Sequence, residues 1–337
     1  MKKELYKTKL GKLLIGDSLE VSKGYLSKYY RNKFQLIITS PPFPLNEKKK
    51  YGNLQGDEYL KWFISLAPVF SNLLTEDGSL VIEIGNSWKK GRPVQSLLHL
   101  NCLLGLVNDP NSDLRLIQEF ISYNPSRLPS PAQWVTVNRI RTVDSYTHVW
   151  WIAKSDFPKA NNSNVLRPYS KRMKKLIDTK QFNSGRRPSQ HKLSPKAFAR
   201  DNGGSIAHNL FELEEIDDSR EVRLPHSVLR FSNTNSNDYY FRQCREEGKI
   251  PHPARMHPGL VSFFTEFLTD KNDLILDPFA GSNTAGYIAE KLGRKWIAVE
   301  INEEYARDSI VRFQDPGLSA VLKVNHPQGA SNVRKKN

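Results

Sequence analysis

The chain has 337 residues, and its 50 Lys or Arg against 35 Asp or Glu give a formal charge of +15 at pH 7. Such an excess favours a polyanionic partner over a small neutral substrate. The sequence has no apolar run long enough to span a bilayer, no secretory signal in MKKELYKTKL, and only two cysteines, Cys102 and Cys244, without metal-ligand spacing. We therefore expect a cytoplasmic protein that uses neither a membrane nor a metal ion.

Apolar runs rich in Val and Ile predict the strands of a buried, mostly parallel sheet. In chain order they lie at 12–16, 34–39, 79–85, 148–154, 273–277 and 295–301. Helical patterns occur between some of them, at 57–74, 259–269 and 284–293. This alternation predicts an α/β fold with a doubly wound sheet, in which ligands bind beyond the carboxyl ends of the strands.

A basic segment interrupts the predicted core between its fourth and fifth strands. Residues 155–200 hold twelve Lys or Arg against two Asp, which is a net charge of +10 in 46 residues. A solvated basic surface or a flexible linker would explain such a run on its own. Aromatic and aliphatic side chains are interleaved with the charges, however, and they favour a folded, charged insert over roughly 155–245.

A possible ligand loop follows the strand 273–277, where DPFAGSNTAG predicts a tight turn at Gly281 and a helix that begins near Asn283 or Thr284. The loop lacks the G-x-G-x-x-G of dinucleotide sites and the G-K-[ST] of nucleoside triphosphate sites. The loop still offers a glycine that lets a ligand approach the backbone closely and the N-terminus of a helix. These two features suit a small anion such as a carboxylate. Glu300, which ends the next predicted strand, can hold both hydroxyls of a ribose. S-adenosylmethionine has both a carboxylate and a ribose with free hydroxyls. The loop and Glu300 together therefore favour a site for this cofactor over an ordinary connection between a strand and a helix.

The motif TSPPF ends the strand 34–39 in a stiff corner, because Pro41 and Pro42 restrict the backbone around them. The Ser40 hydroxyl and the Pro41 carbonyl can accept hydrogen bonds from the exocyclic amine of a nucleobase and aim its lone pair at a methyl donor. Phe43 offers a face on which a base extruded from a duplex can stack. An isolated S-P-P-F would indicate only a proline turn, so the interpretation depends on the loop at Gly281.

With TSPPF first and DPFAGSNTAG much later, the chain resembles the amino-methylating DNA methyltransferases of the permuted, beta class. The Ser-Pro-Pro-Phe form is typical of cytosine-N4-specific enzymes from type II restriction-modification systems. The resemblance implies a seven-stranded sheet, S-adenosylmethionine as cofactor and an inserted target-recognition region. It divides the chain into a catalytic part (1–154), the basic insert (155–245), a cofactor-binding part (246–315) and a basic, flexible tail (316–337).

The resemblance also implies roles for individual residues. Ser40, Pro41, Pro42 and Phe43 form the catalytic corner, Asp17 meets the adenine amine of the cofactor, and Glu300 holds its ribose. The segment from His252 closes over the methionine moiety. The full cofactor-binding set is Asp17, Asp277, Pro278, Phe279, Gly281, Ser282, Asn283, Thr284, Glu300, His252 and Pro253. Ala280 stands where many members of the family have a further glycine. The sequence therefore does not predict the exact backbone conformation of the turn.

Basic side chains predict the contacts with double-stranded DNA. We expect the segment 46–56, with Lys48, Lys49 and Lys50, to close over the substrate, and Lys171, Arg172, Lys174 and Lys175 to lie on a helix that contacts phosphates. Base contacts are predicted from Arg186, Arg187, Ser189 and His191. The resemblance implies a monomer, a target such as CAGCTG or a related palindrome, and a cognate restriction endonuclease as a functional partner that need not touch the chain.

Other classes of protein share some of these features. A cytosine-C5 methyltransferase needs a thiolate that usually follows a proline, and neither Cys102 nor Cys244 does. An adenine-N6 enzyme, the main alternative, shares everything except Ser40, where Asp or Asn is expected. RNA methylation remains open, although the basic insert suits duplex DNA better. A DNA-binding protein or nuclease without methyl transfer would have no purpose for a cofactor loop.

Overall fold

The computed structural model describes residues 3–43, 54, 56–181, 185–186, 192–193, 200–214, 229–232, 239–249 and 251–318. Its strands, in chain order, are β1 (Lys3–Lys7), β2 (Gly11–Ile15), β3 (Phe34–Thr39), β4 (Leu74–Ile84), β5 (Arg115–Tyr123), β6 (Tyr146–Ala153), β7 (Gly185–Arg186), β8 (Lys192–Leu193), β9 (Leu210–Glu214), β10 (Leu229–Ser232), β11 (Leu274–Asp277) and β12 (Lys295–Glu300). The six strands predicted from apolar runs are confirmed as β2, β3, β4, β6, β11 and β12.

Ten of these strands form one sheet, in the order β1-β2-β12-β11-β3-β4-β6-β5-β9-β10. The strands β2, β12, β11, β3 and β4 are parallel, and β6 runs antiparallel to both β4 and β5. The run from β2 to β5 in this order is the predicted seven-stranded, mostly parallel sheet. The described residues extend it by β1 on one edge and by β9 and β10, which belong to the basic insert, on the other.

The central strands bury apolar side chains on both faces, because successive residues point to opposite sides of a sheet. In β2, Leu13 lies in one hydrophobic core and Leu14 in the other. In β3, Leu36 and Ile38 belong to the first core and Ile37 to the second. Burial on both faces is the physical reason that these strands read as continuous apolar runs.

Helices cover both faces of the sheet, as a doubly wound fold requires. They are α1 (Ser18–Val21), α2 (Ser27–Tyr29), α3 (Gly56–Ile64), α4 (Leu66–Leu73), α5 (Leu98–Val107), α6 (Lys171–Thr179), α7 (Tyr239–Glu246), α8 (Pro258–Leu268), α9 (Thr284–Lys291) and α10 (Glu303–Asp308). The helix expected at 57–74 is divided into α3 and α4, and those at 259–269 and 284–293 are confirmed as α8 and α9. In the described ranges no helix has the length and apolar character to cross a bilayer.

The strand β5 was missed by the sequence analysis. Its sequence RLIQEFISY places exposed and half-buried residues along most of its length, and only Phe120 and Ser122 are buried. A continuous apolar run is therefore absent, although the strand pairs with β6 over its whole length. The pairing explains how a polar segment belongs to the core sheet.

Candidate active site

A cavity with a volume of about 450 Å³ opens at the carboxyl ends of the parallel strands. The predicted site residues that line it are Asp17, Ser40, Pro41, Pro42, Phe43, His252, Asp277, Phe279, Gly281, Ser282, Thr284 and Glu300. They come from opposite ends of the chain and meet because β2, β12, β11 and β3 are neighbours in the sheet. The corner TSPPF and the loop around Gly281 therefore share one cavity.

The other three predicted cofactor residues, Pro278, Asn283 and Pro253, do not line the cavity. The Pro278 carbonyl accepts a hydrogen bond from the Ser18 hydroxyl. Asn283 is fully buried in a left-handed conformation (φ 54°), where its Oδ1 accepts from the Gly286 amide at 3.1 Å and caps α9. Pro253 is exposed beside His252. Asn283 thus shapes the loop through a helix cap, a role that its position in the motif did not reveal.

The corner after β3 is tied to the end of β11. Thr39 is fully buried, and its Oγ1 donates to Asp277 Oδ1 at 2.8 Å. Ser40 follows as an exposed residue and Pro41 is buried. The Thr39–Asp277 hydrogen bond and the two prolines restrain the backbone on which Ser40 and Pro41 line the cavity.

Aromatic side chains form one wall of the cavity. Phe43 is half-buried and meets Tyr59 of α3 in an edge-to-face contact, with ring centroids 5.8 Å apart. Trp62, one turn later on α3, lies 5.6 Å from the ring of Phe279. This wall contains both Phe43, which is predicted to stack a base, and Phe279 of the predicted cofactor loop. A base and a cofactor can therefore lie against neighbouring rings.

Two buried carboxyl groups lie at the base of the cavity. Glu300 Oε2 accepts from the Gly281 amide at 2.7 Å, Oε1 accepts from the Asn302 amide at 2.8 Å, and burial raises the pKa of Glu300. Burial also raises the pKa of Asp277 to about 7, and the nearby charge of Glu300 adds to the effect. A carboxylate oxygen accepts more than one hydrogen bond, so Glu300 retains capacity for the hydroxyls of a bound sugar.

The segment from His252 lies on the cofactor loop. Gly281 has φ +52°, and a Cβ there would lie 3.1–3.2 Å from the His252 ring, so glycine allows this close approach without displacing the ring. The structure also assigns two side chains that the motif left without a role. Met256 packs in the core at the cavity wall, and His257 caps α8 by accepting from the Gly259 amide at 3.0 Å.

Asp17 was predicted to meet the adenine of the cofactor, and it lines the cavity at the end of β2. The side chain is exposed, and one of its oxygens caps α1 by accepting from the Glu20 amide at 3.0 Å. The capping bond uses Oδ1 alone. The second carboxylate oxygen remains as an acceptor for an exocyclic amine.

The predicted DNA contacts are placed in part. Lys171, Arg172, Lys174 and Lys175 lie on α6, which confirms the predicted helix, and all four are exposed. Arg186 lies in β7, whose partner strand is β8. The predictions for Lys48, Lys49, Lys50, Arg187, Ser189 and His191 fall outside the described residues.

The cavity and its surroundings contain polar side chains that sequence reasoning did not identify. Arg127 and Asn86 line the cavity, and close by Glu83 accepts from Thr147 Oγ1 at 3.0 Å, where burial raises its pKa. Arg127 donates to the Tyr146 carbonyl at 3.0 Å. The segments NPSRLPSP and GNSW, which carry Arg127 and Asn86, follow β5 and β4. A polar residue directly after a buried strand was the available signal for Asn86, whereas β5 had been missed.

Comparisons with known proteins agree with this geometry. A family model described as DNA methylase, for N6 and N4 methyltransferases, matches residues 34–311. The chain is 40% identical over 320 residues to the type II methyltransferase M.PvuII of Proteus hauseri, covering 94% of this chain and 88% of that protein. It is 22% identical over 306 residues to the type II methyltransferase M.BglII of Bacillus subtilis, covering 89% of this chain and 68% of that one.

The fold agrees as well. A solved structure named PvuII DNA methyltransferase (cytosine-N4-specific) superposes with a TM-score of 0.69 at 33% identity, over 96% of this chain and 94% of the other. The matched family region contains both the corner at Ser40 and the loop at Gly281, which line the same cavity. The chain therefore belongs to the DNA methylase family of N6 and N4 methyltransferases.

Proposed function

We propose that the protein is the site-specific DNA methyltransferase of a type II restriction-modification system, which transfers a methyl group from S-adenosylmethionine to N4 of a cytosine flipped out of duplex DNA. The observation that carries the proposal is the shared cavity, in which the Ser40 corner faces the loop of Gly281 and Glu300. A relative at 40% identity over nearly the whole chain is a type II methyltransferase, and a solved relative is named as cytosine-N4-specific.

The residues of the loop fit S-adenosylmethionine. Gly281 keeps its surface free of a side chain, the buried Glu300 carboxylate can accept from two ribose hydroxyls, and Asp17 offers an acceptor for the adenine amine. The helix α9 begins at Thr284, beside the loop, so its N-terminus favours the carboxylate of the amino-acid moiety. When bound, the cofactor supplies an electrophilic methyl group on a positively charged sulfur.

The catalytic corner acts on the amine of the target base. The amine nitrogen of cytosine is a weak nucleophile, because its lone pair is delocalised into the ring. The Ser40 hydroxyl and the Pro41 carbonyl accept hydrogen bonds from the two N–H groups of the amine. They favour a pyramidal nitrogen whose lone pair faces the methyl group. Methyl transfer would join carbon to this nitrogen and leave the S–C electron pair on sulfur, and the proton displaced from the nitrogen would pass to solvent through the open cavity. The stiff corner contributes through orientation, since the acceptors need no rearrangement during the reaction.

The basic surface supports the assignment of duplex DNA as substrate. The exposed cations of α6 suit phosphates, and the formal charge of +15 favours approach to a polyanion. We propose that the enzyme acts as a cytoplasmic monomer on one strand at a time, and that a restriction endonuclease recognises the same site without touching this chain. CAGCTG or a related palindrome is the proposed site.

The test is mass spectrometry of nucleosides from duplex DNA that has been treated with the protein and isotopically labelled S-adenosylmethionine. We expect labelled N4-methylcytosine, and sequencing of the modified positions then gives the site. Labelled N6-methyladenine or 5-methylcytosine in its place would refute the proposal. The matched control is Ser40→Ala, which should keep cofactor affinity and lose most of the labelled product.

A further inference from the structure

A polar cluster beside the cavity has no role in the mechanism above. Asn86, at the carboxyl end of β4, is 4% exposed and lines the cavity. Its Oδ1 lies 3.0 Å from His148 Nε2, and His148 Nδ1 lies 2.6 Å from Glu119 Oε1. The Asn86 amide nitrogen is buried and has no hydrogen-bond partner within the part of the chain that the structure describes. A buried donor of this kind calls for a partner, and the neighbouring cavity is where a ligand can provide one.

Aromatic rings brace the histidine that contacts the Asn86 amide. The ring of His99 stacks on His148 at 4.7 Å with an interplanar angle of 25°, and Tyr146 meets the same ring edge-to-face at 5.3 Å. Asn86 Oδ1 and Glu119 Oε1 lie at the two ring nitrogens of His148, so the ring holds the amide oxygen on one side and the carboxylate on the other. With Oδ1 held in this way, the N–H bonds of Asn86 remain for a ligand.

Asn86 and Ser40 leave neighbouring strands at the same edge of the sheet. β3 and β4 are parallel, with Thr39 opposite Ile82, and the residues that follow both strands line the cavity. Neighbouring strands lie roughly 4.8 Å apart. A cytosine presents its amine and its carbonyl O2 at the two ends of one edge, separated by a similar distance. The loop around Gly281 follows β11 on the other side of β3, so a base whose amine is held at Ser40 can place O2 at β4.

We propose that the Asn86 amide donates a hydrogen bond to O2 of the flipped cytosine and thereby selects cytosine over adenine, which has a C–H group at the equivalent position. His148 and Glu119 are positioning residues that hold the amide. The inference depends on the proposed cytosine-N4 activity and adds to it the residue that recognises the base. The Ser40 corner alone grips an exocyclic amine, which cytosine and adenine both carry.

The first experiment compares Asn86→Asp and Asn86→Ala with the wild type on a cognate duplex. Asn86→Asp keeps the shape and an acceptor for His148 but removes the N–H donor. We expect kcat/KM to fall by about 10- to 100-fold in both variants, with cofactor affinity and melting temperature near those of the wild type. The control is Asn101→Asp, which adds the same charge at an exposed position of α5 and should leave kcat/KM unchanged. Unchanged kcat/KM in both Asn86 variants would overturn the proposal.

The second experiment uses a duplex whose target cytosine carries sulfur in place of O2, because sulfur is the weaker acceptor. The substitution should lower kcat/KM for the wild type and have little further effect on Asn86→Ala. An equal loss in both proteins would show that Asn86 does not contact O2.

Glu119→Gln, which weakens the hold on His148, should show part of the Asn86→Ala loss in kcat/KM. If the wild type forms no N4-methylcytosine, the proposed function fails; if it does and Asn86 variants equal it, only this inference fails.

Discussion

Replacement of Gly281 by alanine tests how the cofactor loop is built. Gly281 has φ +52°, a conformation that costs a residue with a side chain about 1–2 kcal/mol. We expect the free energy of unfolding to fall by this amount, which for a chain of 337 residues lowers the melting temperature by about 1–3 °C. The new methyl group would also lie 3.1–3.2 Å from the His252 ring, so the ring or the loop must move by a few tenths of an ångström.

That movement should reach the cofactor site. The Gly281 amide donates to Glu300 Oε2 at 2.7 Å, so a displaced loop weakens the hydrogen bond that orients the carboxylate. If the free energy of cofactor binding falls by the contribution of one hydrogen bond, roughly 1.4 kcal/mol, the Kd for S-adenosylmethionine rises about tenfold. Isothermal titration calorimetry measures this Kd directly, and thermal unfolding reports the change in stability.

Gly248→Ala is the matched control. Gly248 has φ +67°, and no atom lies within 4 Å of the position that its Cβ would occupy, so this variant has the backbone cost without the contact. We expect a similar loss of stability and an unchanged Kd. If the ring is the obstacle, adding Gly281→Ala to His252→Ala should raise the Kd by less than Gly281→Ala raises it in the wild type. Equal cofactor affinity in Gly281→Ala and the wild type would refute the reasoning.

The other predictions concern the base, the buried carboxyl and the DNA. Phe43→Ala should lose about 1–3 kcal/mol of base stacking and most turnover while cofactor affinity stays near that of the wild type, and Phe43→Tyr should remain active; equal loss of cofactor binding would indicate a structural role. Because burial raises the pKa of Asp277 from 3.8 to about 7, stability from its neutral form is lost as pH rises through this window. Asp277→Asn should therefore gain melting temperature relative to the wild type from about pH 4 to 8, and a constant difference would contradict the raised pKa. Lys174→Ala should weaken binding to all DNA sequences and reduce the log-log salt slope by about one unit, and an unchanged slope would exclude a phosphate contact. Arg186→Ala or Arg187→Ala should relax the site at one position, as sequencing of methylated DNA would reveal, whereas unchanged site choice with weaker binding would leave them as phosphate contacts.

The sequence was sufficient to predict an element wherever the residues of that segment alone determine its conformation or burial. β3 and β11 could be predicted because strands buried on both faces need an apolar residue at nearly every position. The corner at Ser40 could be predicted because proline restricts its own backbone and that of the preceding residue. The turn at Gly281 could be predicted as well, since the structure gives this glycine a left-handed backbone that side chains disfavour.

Local sequence was insufficient wherever a residue takes its role from a distant partner. Asn283 stands in the cofactor motif at the start of the predicted helix, but its amide also donates to Tyr6 Oη at 2.9 Å, at the other end of the chain. β5 carries too many polar residues to be predicted as a core strand, and its place depends on pairing with β6.

The polar cluster at the cavity depended entirely on tertiary structure. Asn86, Glu119 and His148 follow or lie in three different strands, and none of them belongs to a recognisable motif. They meet because β6 runs antiparallel between β4 and β5, with His148 opposite Ile84 on one side and Ile121 on the other. The sequence by itself determined which segments are strands and where the two motifs follow them. Only the register of the sheet decided which side chains converge, because a hydrogen bond between distant residues depends on how strands pair and not on the composition of either strand.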